Sequence, residues 1–396
     1  MSSDREVVIL SFARTPMARI NGSLSSMTAA SLGATAIRGA LGRAGIDASE
    51  VDQVLMGQVV QAGAGQNPAR QAAVLADIPW TVPATTINKV CLSGLTAIID
   101  AARMIRLGEA SVVVAGGQES MSQAPHLLPG SRRGWTYGDI QAVDSLAFDG
   151  LTDAFDRESM GSSTERGNKT LSITREAQDR VAVESHRRAS LAASSGVFAD
   201  EIVPVEVPQR RGSPVVVSTD EGIRPETTLE SLAALRPAFS ADGTITAGNA
   251  SPLTDGAAAV VVAAREVAEA RGLSWLASVG ASGQVAGPDN SLHSQPSAAI
   301  TAALARGGWD LASVDLLEIN EAFGSVVAQS LADLDFPLER TNLHGGAIAL
   351  GHPIGASGAR LAGTAAMELA RRGAGRAAVA LCGGGGQGEA LLLWRA

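Results

Sequence analysis

The chain has 396 residues, which at roughly 150 residues per domain suggests two or three domains. It is 45% hydrophobic and 18% charged, the balance of a globular protein able to bury large cores. The formal net charge of −9 excludes a general electrostatic footprint for nucleic acid, although a local basic patch could still hold an anionic cofactor. The two cysteines, Cys91 and Cys382, lie far apart, which fits neither a disulfide framework nor a zinc-ligand spacing. The acidic start, MSSDREVVILSF, does not read as a signal peptide. No apolar run reaches the ~20 residues that span a membrane. A reducing, cytoplasmic setting is expected.

In chain order, residues 7–12 read as a buried strand. Residues 31–43 have helical spacing, with Leu32, Ala36, Ile37, Ala40 and Leu41 on one side. A second strand is predicted over 51–60 and a short helix over 67–76. A third strand over 85–90 should run into Cys91. A helix over 93–107 and a strand over 111–115, ending in Gly116-Gly117, complete an alternation that implies a largely parallel sheet covered on both faces. From Gln118 to about Gly248 the texture changes. Residues 118–160 are rich in Ser, Gly, Pro and Arg without a period; a helix is predicted over 175–193 and strands near 202–217. This section reads as a large insertion, and loops of such length are usually functional. A strand over 256–264 resumes the first pattern.

The segment 31–57 is repeated in 295–320. Ile37 matches Ile300, Leu41 matches Leu304, Gly45 matches Gly308 and Val51-Asp52 matches Val314-Asp315, all at one constant offset. Ser93-Gly94 and Ser357-Gly358 continue the match one residue further on, each opening a helix. The strand 111–117 corresponds to 378–384. The fold should therefore contain two similar α/β halves. The expected domains are 1–117 with 249–270, an inserted loop domain over 118–248, and 271–396.

The repeat has a chemical consequence. Cys91 precedes the helix at Ser93, and His352 lies in the equivalent loop of the second half, within NLHGGAIALGHPIGASG (342–358). That run is too glycine-rich for a regular element, and Pro353 biases His352 toward an extended conformation. Cys382 ends the strand equivalent to 112–115, at the carboxyl edge where α/β sheets build sites. All three point to one crevice. A histidine in a glycine loop is more often structural when it stands alone, and a lone cysteine is more often core. Here the flanks of Cys91 are polar and turn-forming, and a helix N-terminus and an imidazole should favour its thiolate. The glycines after Cys382 are followed by another strand rather than a helix, which argues against a dinucleotide loop and for exposed N–H donors. Asn320 and Glu321 end a buried strand, where Asn320 could polarise a water or a carbonyl, or simply cap a helix. His126, His186 and His293 read as structural or surface residues. Two thiols, an imidazole, an amide and backbone donors suit Claisen condensation of thioesters or its reverse.

Seven stretches carry a resemblance to the thiolase family, most of all to its acetyl-CoA acetyltransferases (acetoacetyl-CoA thiolases). They are INKVCLSGLTAI, VVVAGGQESMSQAPHLLPGSRRGWTYGD, MGSSTERGN, TITAGNASPLTDGAAAVV, EINEAF, GGAIALGHPIGASGAR and LCGGGGQG, in the family's order and nearly end to end. The resemblance implies a five-layer αβαβα arrangement of two repeated halves with an inserted loop domain. It implies that Cys91 is acylated, His352 activates it and Cys382 is the acid/base on the α-carbon of the second thioester. Asn320, through a water, and His352 would form one oxyanion hole; the N–H groups of Cys91 and Gly384 would form the other. Coenzyme A would lie near Met160, Arg224, Ser231 and Ser251, with Ala322 and Phe323 by the pantetheine. It further implies acetyl-CoA and acetoacetyl-CoA as substrates, no metal, no cofactor beyond coenzyme A as co-substrate, and a homo-oligomer, dimer or tetramer. The chain departs from the family pattern at Ser159, His344, Gly383 and the segment LHSQP (292–296). The rival activities are a broad-specificity 3-ketoacyl-CoA thiolase of fatty-acid oxidation and an acyl-carrier-protein ketosynthase, although the latter would need two histidines where Cys382 and Asn320 stand. A non-catalytic thioester-binding subunit is the rival from another class.

Overall fold

The computed structural model describes residues 5–396, so the first four residues of the acidic start lie outside the described residues. The first half supplies β1 (Val7–Arg14), β2 (Ala18–Arg19), α1 (Ala29–Ala44), β3 (Gln53–Gly57), α2 (Pro68–Leu75), β4 (Ala84–Ile87), α3 (Ser93–Leu107) and β5 (Val112–Glu119). A middle section carries the hairpin β6 (His126–Leu127) and β7 (Val143–Asp144), helices α4 (Met160–Leu171) and α5 (Arg175–Ser194), the hairpin β8 (Val205–Val207) and β9 (Val215–Val217), and the short α6 (Leu229–Ala233). Then follow β10 (Thr254–Ala264), α7 (Arg265–Ala270), β11 (Ala277–Ala286), α8 (Gln295–Gly307), β12 (Leu316–Ile319), α9 (Gly324–Leu334), α10 (Ala347–Leu350), α11 (Ser357–Arg372), β13 (Gly375–Gly383) and β14 (Gln387–Arg395).

The strands run β12-β13-β14-β11-β1-β10-β5-β3-β4 across one sheet path. On each side of the β1–β11 seam the order is the same. β3 is parallel to β5, as β12 is to β13. β5 and β10 are antiparallel, as are β13 and β14. Even the outermost β4 has a counterpart, a parallel bridge from Thr341 to Leu317. The internal repeat is thus a repeat of topology. Two residue pairs of β1 with β11, Val8 with Ser278 and Ile9 with Ala277, join the halves.

The five expected layers are present. α1 and α2 cover the outer face of the first sheet through Leu32, Ile37 and Ala69. α3 and α11 lie between the two sheets, where Leu95, Ile98, Leu361 and Leu369 meet Val113, Val260, Val379 and Leu391. α8 and α9 cover the second sheet through Ile300 and Val327. Strands buried on both faces read as unbroken apolar runs, which is why β1 and β10 showed no alternation. Each fully buried Val, Ile or Leu here stabilises the fold by roughly 1.5–3 kcal/mol. Thr28 caps α1 by accepting from the Ser31 N–H, and Gly45 ends the helix in a left-handed turn.

The sheet is mixed rather than largely parallel: β3–β4, β3–β5 and β12–β13 are parallel, while β1–β10, β1–β11, β2–β10, β5–β10, β11–β14 and β13–β14 are antiparallel. Five local expectations also need correction. β3 stops at Gly57 rather than Val60, because the Val59 and Val60 N–H groups turn away to bond Glu119. β4 ends at Ile87, and residues 88–92 form a tight turn instead of a strand. β5 continues through Gly116-Gly117 to Glu119. α4 lies in a stretch where no helix was predicted, and α10 forms inside the glycine-rich run of the second half.

Candidate active site

The turn before α3 presents Cys91. Asn88 accepts from the Val90 N–H at 3.1 Å, and Ser93 accepts from the Lys89 N–H at 2.8 Å while donating to the Val90 carbonyl at 2.7 Å. Below it, the buried Glu389 takes the Lys89 ammonium at 2.9 Å and the Thr96 hydroxyl at 2.6 Å. These bonds hold Val90 at φ +50°, an unfavourable conformation for a β-branched residue, directly before the cysteine. Nothing in the sequence pattern announced that strain.

His352 enters from the second half on a loop locked into the first. The Gly355 N–H donates to Glu119 at 2.9 Å, beside the Val59 and Val60 N–H bonds at 3.0 and 3.1 Å. The Gly355 carbonyl sits so close to Gly117 that a Cβ there would lie 1.9 Å from it. Glycine at 117 is therefore a requirement of this docking. Gly351 has φ +118°, and a Cβ on it would meet the Thr254 hydroxyl at 2.4 Å; that hydroxyl accepts the His352 N–H at 3.1 Å. Glu119 is wholly buried, and burial pushes its carboxyl up to about 7 against the pull of its three N–H donors.

The imidazole itself is buried and oriented. Its Nδ1 lies 2.6 Å from the Ser357 hydroxyl, which donates its own proton to the Pro353 carbonyl at 3.1 Å. The hydroxyl must then accept from Nδ1–H, which leaves the lone pair on Nε2. Asn320 approaches that Nε2 with its amide nitrogen at 3.4 Å. Burial, with Arg360 adding repulsion, pushes His352 down to about 4, so the ring is neutral near pH 7 and can act as a proton acceptor.

Cys382 stands at the end of β13, 1% exposed. The glycines after it make the β13–β14 hairpin turn, with Gly385 and Gly386 at φ +79° and +68°. This is the non-nucleotide geometry expected from the sequence. Burial raises the Cys382 thiol well above the ordinary range, and Cys91 adds to the rise. For Cys91 the structure corrects an expectation. Burial pushes its thiol up to about 11, although the N–H groups of Gly384 and of Cys91 itself pull the other way. Its thiolate is not favoured in the free protein.

One cleft of about 620 Å³ collects Cys91, His352, Cys382 and Gly384, together with Met160, Arg224, Ser251, Ala322 and Phe323. Asn320 lies behind the cleft wall, fully buried, with its Oδ1 lacking a partner among the described residues. Ser231 is not in the wall; it is exposed and completes the cap of α6 with Thr228. Ser251 donates to the Ala322 carbonyl at 3.0 Å, and Phe323 meets Phe239 edge to face at 6.3 Å. His186 is buried and accepts the Arg224 N–H at 3.2 Å, so it fixes the backbone of a cleft residue. His126 is exposed. Among the described residues no His, Cys, Asp and Glu cluster could hold a metal ion, and no helix is long and apolar enough to cross a membrane.

A buried imidazole with its lone pair on Nε2, two thiols and paired N–H donors in a mostly apolar cleft make the site of an acyl-transferring enzyme. The model of the thiolase N-terminal domain matches residues 7–266, and that of the thiolase C-terminal domain matches 273–395. A probable acetyl-CoA acetyltransferase of Mycolicibacterium smegmatis is 57% identical over 98% of this chain and 100% of its own length. An acetyl-CoA acetyltransferase of Cupriavidus necator is 48% identical over 98% of this chain and 99% of its own. The crystal structure of the Bacillus anthracis acetyl-CoA acetyltransferase superposes with a TM-score of 0.95 at 39% identity, covering all of both chains. The chain belongs to the thiolase family.

Proposed function

We propose that the protein is an acetyl-CoA C-acetyltransferase, interconverting two acetyl-CoA with acetoacetyl-CoA and coenzyme A through an acetyl group carried on Cys91. The observation that carries this reading is the convergence of Cys91, His352, Cys382 and the Gly384 N–H on one cleft. In the thiolysis direction, Cys91 attacks the 3-keto carbon while Nε2 of His352 takes its proton. The N–H groups of Cys91 and Gly384 and the Asn320–His352 pair supply candidate donors for the oxyanions. The unmatched Oδ1 of Asn320 supports a water held there. Cleavage of the carbon–carbon bond leaves an enolate of acetyl-CoA. Cys382, kept protonated by its burial, gives its proton to the α-carbon. Incoming coenzyme A returns a proton to Cys382 as its sulfur takes the acetyl group, and His352 reprotonates Cys91. Atoms and protons balance, and condensation is the same path reversed. Arg224 and Ser251 on the rim would hold coenzyme A. No cofactor or metal enters this path. A homo-oligomer is part of the proposal, supported by the exposed Trp135, Tyr137, Ile140, Phe148 and Phe155. So is a reducing cytoplasmic setting, supported by two free cysteines.

Steady-state thiolysis of 3-ketoacyl-CoA substrates from four to sixteen carbons tests the reading. Acetoacetyl-CoA should give the highest kcat/KM; a maximum at eight carbons or beyond would instead support the broad-specificity activity. Iodoacetamide should modify Cys91 before Cys382, since Cys91 is partly exposed and Cys382 is not. Acetyl-CoA should slow that modification. Peptide mapping that finds Cys382 modified first, or no protection, would remove Cys91 from the nucleophile's role.

A further inference from the structure

The segment LHSQP puts a histidine where it has no part in the chemistry, and its surroundings are built to hold it. His293 is 1% exposed. Its Nε2 lies 2.8 Å from the side-chain oxygen of Asn168 on α4. The Asn168 amide donates onward to the Thr244 hydroxyl at 3.0 Å, and that hydroxyl donates to Glu165 at 2.7 Å. With Asn168 donating through nitrogen, its oxygen accepts the His293 Nε2–H. The His293 carbonyl is fixed separately, by the Ser330 hydroxyl of α9 at 3.1 Å. Gly167 leaves the ring its space; a Cβ there would lie 2.2 Å from His293 Cε1. The imidazole is thus pinned between the middle section and the second half.

Its neighbour in sequence faces the chemistry. Leu292 lines the cleft and packs in one apolar cluster with Cys382, Ala322, Phe323 and Ile245, with Met160 against it. Met160 opens α4, the helix that holds His293. Cys91 opens into the same cleft, so the acyl group it carries shares that space with Leu292, and Leu292 is tied through the backbone to a residue that has no room to move.

We propose that His293 is a positioning residue that fixes Leu292 as the wall of the acyl pocket and so sets the selectivity for short acyl groups. The proposal rests on the thiolase reading above. Burying the imidazole costs free energy that the Nε2–H bond to Asn168 offsets in part, while Nδ1 has no partner among the described residues.

The test compares kcat/KM for thiolysis of 3-ketohexanoyl-CoA and of acetoacetyl-CoA. Each methylene in an apolar pocket is worth about tenfold or more in discrimination, and the two substrates differ by two methylenes. Leu292→Ala should raise the six- to four-carbon ratio by about tenfold, and His293→Ala should raise it by at least fivefold. The double variant should give no more than Leu292→Ala alone, because His293 acts through Leu292. His293→Gln, which keeps a donor for Asn168, should return the ratio to within twofold of wild type. If His293→Ala is not recovered folded, Asn168→Ala removes the acceptor while leaving the ring, and should move the ratio the same way. Equal losses on both substrates, or additive ratio changes in the double variant, would reduce His293 to a stability role and overturn the proposal. A wild-type protein that cleaves neither substrate would sink the functional reading itself, and this proposal with it. An active wild type with an unmoved ratio in the variants would sink this proposal alone.

Discussion

His352→Gln should slow acetylation of Cys91 by ~10²–10⁴-fold near pH 7, the range for removing a positioned general base. The loss should shrink as pH rises. Burial raises the Cys91 thiol to about 11. A thiol four units above the working pH is ionised in on the order of one molecule in 10⁴. The wild type does not depend on that fraction, because Nε2 of His352 can take the proton as the sulfur attacks. His352 is pushed down to about 4, so the wild-type base is ready throughout the neutral range and the acetylation rate should be flat from about pH 5 to 8. The variant must use preformed thiolate. Since a raised pKa means that the anion appears only as pH climbs toward 11, its rate should rise about tenfold per pH unit between 7 and 10. Intact-mass measurement of acetyl-enzyme after mixing with acetyl-CoA, across that range, gives both profiles. A variant profile as flat as the wild type's, or a loss below tenfold at pH 7, would mean that another group activates Cys91.

The sequence carried the site's membership further than its electrostatics. Cys91, His352 and Cys382 could be brought together on paper because a constant offset between two segments implies equivalent loops, and equivalent loops of a pseudo-symmetric pair meet. The glycines after Cys382 were readable as a turn because a strand, not a helix, follows them. α4 was invisible because its buried face is polar: Ser163, Thr164, Glu165 and Asn168 are buried by hydrogen bonding, so the stretch has no apolar period to detect. Glu119 gave no signal either. It reads as one acidic residue after a strand, and only the folded chain brings three N–H groups from two distant loops onto it. The Cys91 thiol was misjudged for a related reason. A helix N-terminus and an imidazole are visible in sequence order, whereas the desolvation that outweighs them comes from packing. Ser231, which the family likeness places at the coenzyme, lies outside the cleft wall with its hydroxyl in a capping box on an exposed helix.

Cys382→Ser should separate the two half-reactions. Acetylation of Cys91 needs a nucleophile, the His352 lone pair and donors for the oxyanion, but no proton moved to or from carbon. The variant should therefore still form acetyl-enzyme from acetyl-CoA, visible by intact mass. Condensation needs a proton removed from the α-carbon of the second acetyl-CoA, and Cys382 is the second thiol of the cleft. A buried thiolate is a strong base because burial destabilises its charge, the same cause that raises its thiol. A serine hydroxyl keeps the shape but has no accessible anion near neutral pH, so it can neither take that proton nor give one readily in thiolysis. Carbon–carbon bond formation and cleavage should both fall by at least ~10²–10⁴-fold. Exchange of the acetyl α-hydrogens with deuterium from solvent should fall in parallel, since it reports the same proton transfer without bond formation. Near wild-type condensation, or exchange that persists in the variant, would exclude Cys382 as the base and leave His352 to serve both steps.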